Sequence, residues 1–187
     1  IALPTGRWEP HNFDEEYLGP VLLREALAES RNVPAVRIAR WCGFGATAAR
    51  FARVGLELPP EPPPAFVLGA VETTPLAVAR AFTVFATPGR VLEPFPVWRA
   101  ATSGGRALER WRPRSTKVAD PAAATIVRDL LRTAVEEGTA VGGGIAGVDV
   151  AAKTGTSSDL RDAWFAGQAG SVVAVVWVGL DDGGRLG

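Results

Sequence analysis

This chain holds one cysteine, one histidine and no methionine among its 187 residues. Each shortage closes off a chemistry. Cys42 alone can form neither an intrachain disulfide nor a cysteine metal cluster, and beside Trp41 in an apolar stretch it is expected to be a small core residue. His11 sits between Pro10 and Asn12 in a loop-like setting, which speaks against a histidine-dependent triad or a histidine metal site. No cofactor and no metal is expected. Neither sign of charge is in excess: 20 basic and 20 acidic residues give a net charge of zero, so there is no electrostatic footprint for nucleic acid or an anionic membrane. Lysine is scarce, with Lys117 and Lys153 the only two among the 20 basic residues. The longest strongly apolar run, Val172–Val178, is far too short to span a bilayer and reads as a buried strand. No signal-peptide pattern is present. Ile1 opens without methionine or helix cap, and Gly187 follows soon after a strand. A piece of a longer protein is therefore expected, with residues 1–187 as a single partial domain.

Proline and glycine punctuate what is there. Residues 1–19 read as loop, marked by Pro4, Gly6, Pro10, Asn12 and Gly19. Pro20 opens a predicted helix running to Ser30, with Val21, Leu22, Ala26 and Leu27 at helical spacing. Asn32-Val33-Pro34 breaks it and starts a second helix, Pro34–Trp41, ended by Gly43. Ala46–Val54 reads as a third helix closed by Gly55, and Pro59 to Pro64 as a stiff extended connector. Thr74-Pro75 caps a helix over Leu76–Thr87. Val91–Trp111 reads as a hairpin turning at Thr102–Gly105, followed by a polar connector holding Lys117. Asp120-Pro121 caps the best-patterned helix, with Ile126, Val127, Leu130, Leu131, Ala134 and Val135 on one stripe and Gly138 at its end. After glycine-rich Gly142–Gly147 come three predicted strands: Val148–Thr154, Ala163–Ala169 and Val172–Leu180. The last two are joined by a turn near Gly170 and are hence antiparallel.

Lys153-Thr154-Gly155-Thr156-Ser157 ends the first of those strands. Alone, it is also the composition of an ordinary solvated strand end. As chemistry it offers a fixed cation, hydroxyls, a glycine against which a ligand backbone can lie, and a backbone N–H for a developing oxyanion. Gly147 to Thr154 nearly spells a phosphate loop, but Ala152 stands at the second glycine and turn residues, not a helix, follow Lys153. Ser30-Arg31-Asn32, at the junction of the first two helices, reads equally as a helix C-terminus or as a hydroxyl and a carboxamide held at a rigid corner. Asp162, Trp164 and Phe165 read as architectural, Asp162 capping the turn from Ser157 and one aromatic facing the core. Asp181-Asp182, before Gly183-Gly184, reads as a solvated turn and not as a metal site.

Taken together, the two motifs and the blocks GRWEPHNFDEEYLGPVLLREALAESRNVPAV, GAVETTPLAVARAFTVFATPGRVLEP, VRDLLRTAVEEGTA, KTGTSSDLRDAWFAG and VVAVVWVGLDDG resemble the transpeptidase domain of class A penicillin-binding proteins. The resemblance runs almost end to end. It implies a three-layer α/β sandwich, an antiparallel sheet flanked by helices as in serine β-lactamases and DD-peptidases, incomplete at its N-terminus, with the KTG strand at an edge. It implies a serine enzyme that cross-links peptidoglycan stem peptides through an acyl-enzyme and binds β-lactam antibiotics. Ser30, Asn32, Lys153 and Thr156 are its catalytic candidates, and Thr154, Gly155, Thr156 and Ser157 its substrate-binding ones. One departure matters: the family's S-x-x-K nucleophile occurs nowhere in this sequence, and Ser115-Thr116-Lys117 has its lysine one position early. The nucleophile is expected upstream, in a protein anchored at the outer face of the bacterial cytoplasmic membrane and carrying a glycosyltransferase domain. A chain without it is expected to be inactive alone. The other expectation is a non-catalytic module on the same fold that binds peptidoglycan or a partner.

Overall fold

Two short strands, β1 (Ala2–Leu3) and β2 (Gly6–Arg7), pair antiparallel where loop was expected. The computed structural model describes residues 1–3 and 6–186; Pro4 lies outside them. α1 spans Leu23–Ala28 and begins later than Pro20. Its start is fixed by Glu25, whose carboxylate reaches back to the Leu22 N–H at 3.2 Å, one half of a capping box. α2 (Asn32–Cys42) and α3 (Phe44–Val54) meet at Gly43, and Gly55, in the left-handed region, ends α3. The proline connector leads into a 3-10 turn over Pro64–Leu68, which buries Phe66 edge-on against Phe44 and Phe51. α4 (Pro75–Ala86) is capped as expected, with Thr74 Oγ1 accepting from Ala77 N–H at 3.2 Å.

The next segment is not one hairpin. β4 (Arg99–Ala101) pairs with β5 (Ala107–Arg110), and this pair is nested inside a second one, β3 (Arg90–Leu92) with β6 (Ser115–Lys117). Pro94, Pro96 and Pro113 fall between the two ladders, where each lacks the N–H a continuous ladder needs. Lys117 therefore sits on a strand opposite Arg90 and not in a connector. α5 (Pro121–Glu136) starts at Asp120, whose carboxylate accepts from Ala122 and Ala123 N–H at 2.8 and 3.3 Å.

β7 (Val150–Thr156), β8 (Asp162–Ala169) and β9 (Val172–Gly179) form an antiparallel sheet in that order, with Lys153 opposite Ala166 and Gly155 opposite Trp164. The glycine-rich segment delays β7, so Lys153–Thr156 lies inside the strand. α5 packs on β7, and α4 against β8 and β9. The main core joins Ala28, Ala134, Val135, Ala140, Val150 and Ala152, with Phe165 packed on it; a second gathers Val84, Val91 and Val118.

Three burial expectations fail. Ile126 and Val127 on α5 are exposed, because the first half of the helix buries Ala124 alone and the rest of the grip comes from Leu130, Leu131, Thr133, Ala134 and Val135. Cys42 is exposed beside a solvent-facing Trp41, because α2 buries only Val36 and Ala39 and Trp41 points from the other side of that helix. β9 is not a buried strand: Val172, Val176 and Val178 alternate along one exposed face, and its outer edge pairs with no strand among the described residues.

Candidate active site

α1 ends in a two-bond reversal: Arg31 N–H donates to Ala26 O at 2.8 Å and Ser30 N–H to Leu27 O at 3.2 Å. This is the Schellman pattern, and its left-handed position, usually glycine, is Ser30 at φ 59°. A side chain there costs about 1–2 kcal/mol, and such outliers cluster at functional sites. Asn32 opens α2 immediately after the turn. Its Nδ2 donates to the His11 carbonyl at 2.9 Å, while Asn12 Oδ1 accepts the Val33 N–H, so the corner is laced to the loop before α1. Asn32 makes no hydrogen bond to Lys153 or Ser30 among the described residues. Arg31 pairs with Asp14 and Glu29 and braces the same loop.

Across from this corner runs β7, one edge of the sheet. Half-buried Lys153 extends Nζ over that edge and donates to Ser30 Oγ at 2.9 Å, to the Thr154 carbonyl at 3.0 Å and to Thr139 Oγ1 at 3.4 Å. The two motifs, 123 positions apart, thus meet in one place. Burial pushes the Lys153 ammonium below the ordinary lysine range. Thr154 Oγ1 donates to Thr139 Oγ1 at 2.9 Å.

Beyond the lysine, Gly155 and Thr156 are exposed. A methyl group on Gly155 would meet nothing nearer than Trp164 Cβ at 3.5 Å, an ordinary contact, so packing within the chain does not demand glycine there. Ser157 N–H donates inward to Asp162 O at 3.0 Å. Backbone groups alternate along an antiparallel strand, so the Thr156 N–H turns to the free edge, on the same side as the Thr154 carbonyl that holds Lys153. Ser157 Oγ accepts the Asp162 N–H at 2.8 Å and is occupied in the turn. The Asp162 carboxylate accepts from Trp177 Nε1 at 2.9 Å; that bond first, and the Ser157 contact second, hold its pKa below the usual range. Phe165 is the aromatic that faces the core.

Thr139 is the participant that the sequence reading missed. It follows Gly138 at the end of α5, and its N–H donates to Ala28 O at 3.0 Å. Gly138 allows this approach: a Cβ there would fall 2.3 Å from the Ala28 carbonyl oxygen. Arg24, from α1, reaches Asp129 and Thr133 of α5 at 2.6 Å each and fixes the same two helices together. Among the described residues no group of three His, Cys, Asp or Glu side chains could hold a metal ion, and no helix is long and apolar enough to cross a membrane.

The model of the penicillin binding protein transpeptidase domain matches residues 2–184. Penicillin-binding protein 1A of Aquifex aeolicus is 38% identical over 180 residues, covering 96% of this chain and 25% of that protein. The Neisseria flavescens protein of the same name is 35% identical over 188 residues, with 96% and 23% covered. The chain thus spans about a quarter of the length of these relatives. Among solved structures, penicillin-binding protein 1A from Haemophilus influenzae superposes with a TM-score of 0.90 at 27% identity, over 100% of this chain and 34% of that one. An imipenem acyl-enzyme complex of penicillin-binding protein A from M. tuberculosis gives 0.79 at 24% identity, over 95% and 46%, and shares the fold.

Proposed function

The chain belongs to the penicillin-binding protein transpeptidase family, and from that premise we propose that it supplies the substrate-holding and proton-relaying part of a serine DD-transpeptidase. Its fold, helices against an antiparallel sheet, is the mixed α/β fold of that family. The parent protein cross-links peptidoglycan stem peptides: a serine attacks the D-Ala–D-Ala carbonyl, D-alanine leaves, and the acyl group passes to an amine of a neighbouring stem. β-Lactams acylate the same serine. That serine and its S-x-x-K lysine come from residues outside these 187, in a protein acting at the outer face of the cytoplasmic membrane and bearing a glycosyltransferase domain.

The observation that carries this reading is the 2.9 Å contact between Ser30 Oγ and Lys153 Nζ at the free edge of β7. A hydroxyl held against a desolvated ammonium can pass a proton to the departing amine, because the lysine's depressed pKa eases the exchange. Asn32 holds the amide of the donor peptide from the same corner. The Thr156 hydroxyl and the charge on Lys153 take the terminal carboxylate, joined by the Thr154 hydroxyl when it turns from Thr139. The outward Thr156 N–H forms half of an oxyanion hole, and the nucleophile's own N–H forms the other half. Gly155 and the Ser157 end of the strand leave room for an extended peptide to align along β7.

The test uses the full-length protein and a fluorescent penicillin. Lys153→Ala should slow acylation by at least about 10²-fold, whereas Lys117→Ala, on exposed β6, should leave the rate unchanged. Equal effects of the two substitutions, or a full-length protein that takes no label, would sink the transpeptidase reading and leave a binding module on the same fold.

A further inference from the structure

Lys153 is aimed without a counter-ion. Among the described residues no carboxylate pairs with it; Glu29 of the corner is engaged with Arg31, and Glu136 of α5 pairs with Arg132. Desolvation is the one cause of its shifted pKa. Its direction therefore rests on three neutral oxygens: Ser30 Oγ, the Thr154 carbonyl and Thr139 Oγ1. Two of these belong to the reading already given. Thr139 comes from a third segment, and it is fixed twice. Its backbone N–H is bonded to Ala28, the last residue of α1, two positions before Ser30, and its hydroxyl accepts from both Lys153 and Thr154. A lysine stem has four rotatable carbons, and an exposed serine alone cannot hold it to one direction.

We infer that Thr139 is a positioning residue: it ties the α1–α2 corner to the edge of β7 and holds the Lys153 amine against Ser30. The inference rests on the proton-relay reading above, but its first test does not need the enzyme to turn over. An ammonium favours its charged form when it has acceptors, so removing one should lower its pKa further. Thr139→Val keeps the shape and the backbone N–H to Ala28 and removes only the hydroxyl.

The 187-residue chain has two lysines, so lysine labelled with 13C and 15N gives two side-chain signals to titrate by NMR. In Thr139→Val, Lys153 should titrate at lower pH than in the unaltered chain, while Lys117 stays where it was. Thr139→Ser should restore the original midpoint. If the valine variant leaves the Lys153 midpoint unmoved, or the serine variant behaves like valine, Thr139 does not position the amine. In the full-length protein the same pair is read by penicillin acylation at saturation, with valine about tenfold slower and serine near the parent rate. A parent protein that takes no label defeats the transpeptidase reading, and the NMR midpoints still decide the role of Thr139.

Discussion

At the scale of single residues the site combines strain with reach. Ser30 occupies a left-handed turn position that glycine fills without cost. Ser30→Gly should therefore stabilise the fold by about 1 kcal/mol, which for a chain of this size raises Tm by about 2–4 °C. The same change removes the relay hydroxyl, so acylation of the full-length protein should fall by about 10²-fold or more. Thermal melts and labelling rates read the two effects separately; a glycine variant that melts lower would show that the serine is not strained. The local sequence was enough to place Ser30 and Asn32 at a helix corner and Lys153 on a strand, because Ser-x-Asn and K-T-G are short and contiguous. Thr139 was not legible. It follows a helix-ending glycine, as many polar residues do, and its importance arises from a contact between segments that are distant in the chain. The tie of Asn32 Nδ2 to the His11 carbonyl was hidden for the same reason.

At the scale of elements, cap chemistry was the most readable signal. Thr74-Pro75 and Asp120-Pro121 each present a side-chain acceptor followed by a proline pre-set for the first turn, and both helices start there. Periodicity was read less well. The α5 stripe included Ile126 and Val127, yet apart from Ala124 the buried residues of the helix lie in its C-terminal half. Leu131, 4% exposed, should cost about 2–5 kcal/mol when cut to alanine. Ile126, 61% exposed, should change stability by no more than about 0.5 kcal/mol. Denaturant midpoints for the two variants check this, and similar losses would mean that Ile126 is covered after all. The nested pairing of β3 with β6 was unreadable because three-residue strands carry too little alternation to announce a partner. The antiparallel pairing of β8 with β9 was readable because their turn is tight; that β7 takes the free edge of β8 was legible only through the family resemblance.

At the scale of the whole molecule, zero net charge hides a directional pattern of pairs. Asp14 is held below the usual carboxylate range first by the Glu16 N–H and then by Arg31, Glu93 by Arg80, and Asp129 by Arg24. Each folded-state pKa is depressed, so the stability these groups contribute is complete above the unfolded carboxylate range. It is lost as pH falls below that range and through the depressed folded-state values. Tm should hold level between about pH 7 and 5 and drop below about pH 4.5, less steeply in high salt because the pairs are exposed. A flat profile down to pH 3 would show that they contribute nothing. The separation of Ser30 from Lys153 also bears on synthesis. At about 5–20 residues per second, a ribosome adds the lysine roughly 6–25 s after the serine. For most of that interval the strained turn of Ser30 has neither Thr139 nor β7 to lean on, so the cleft cannot close until both α5 and β7 have been made.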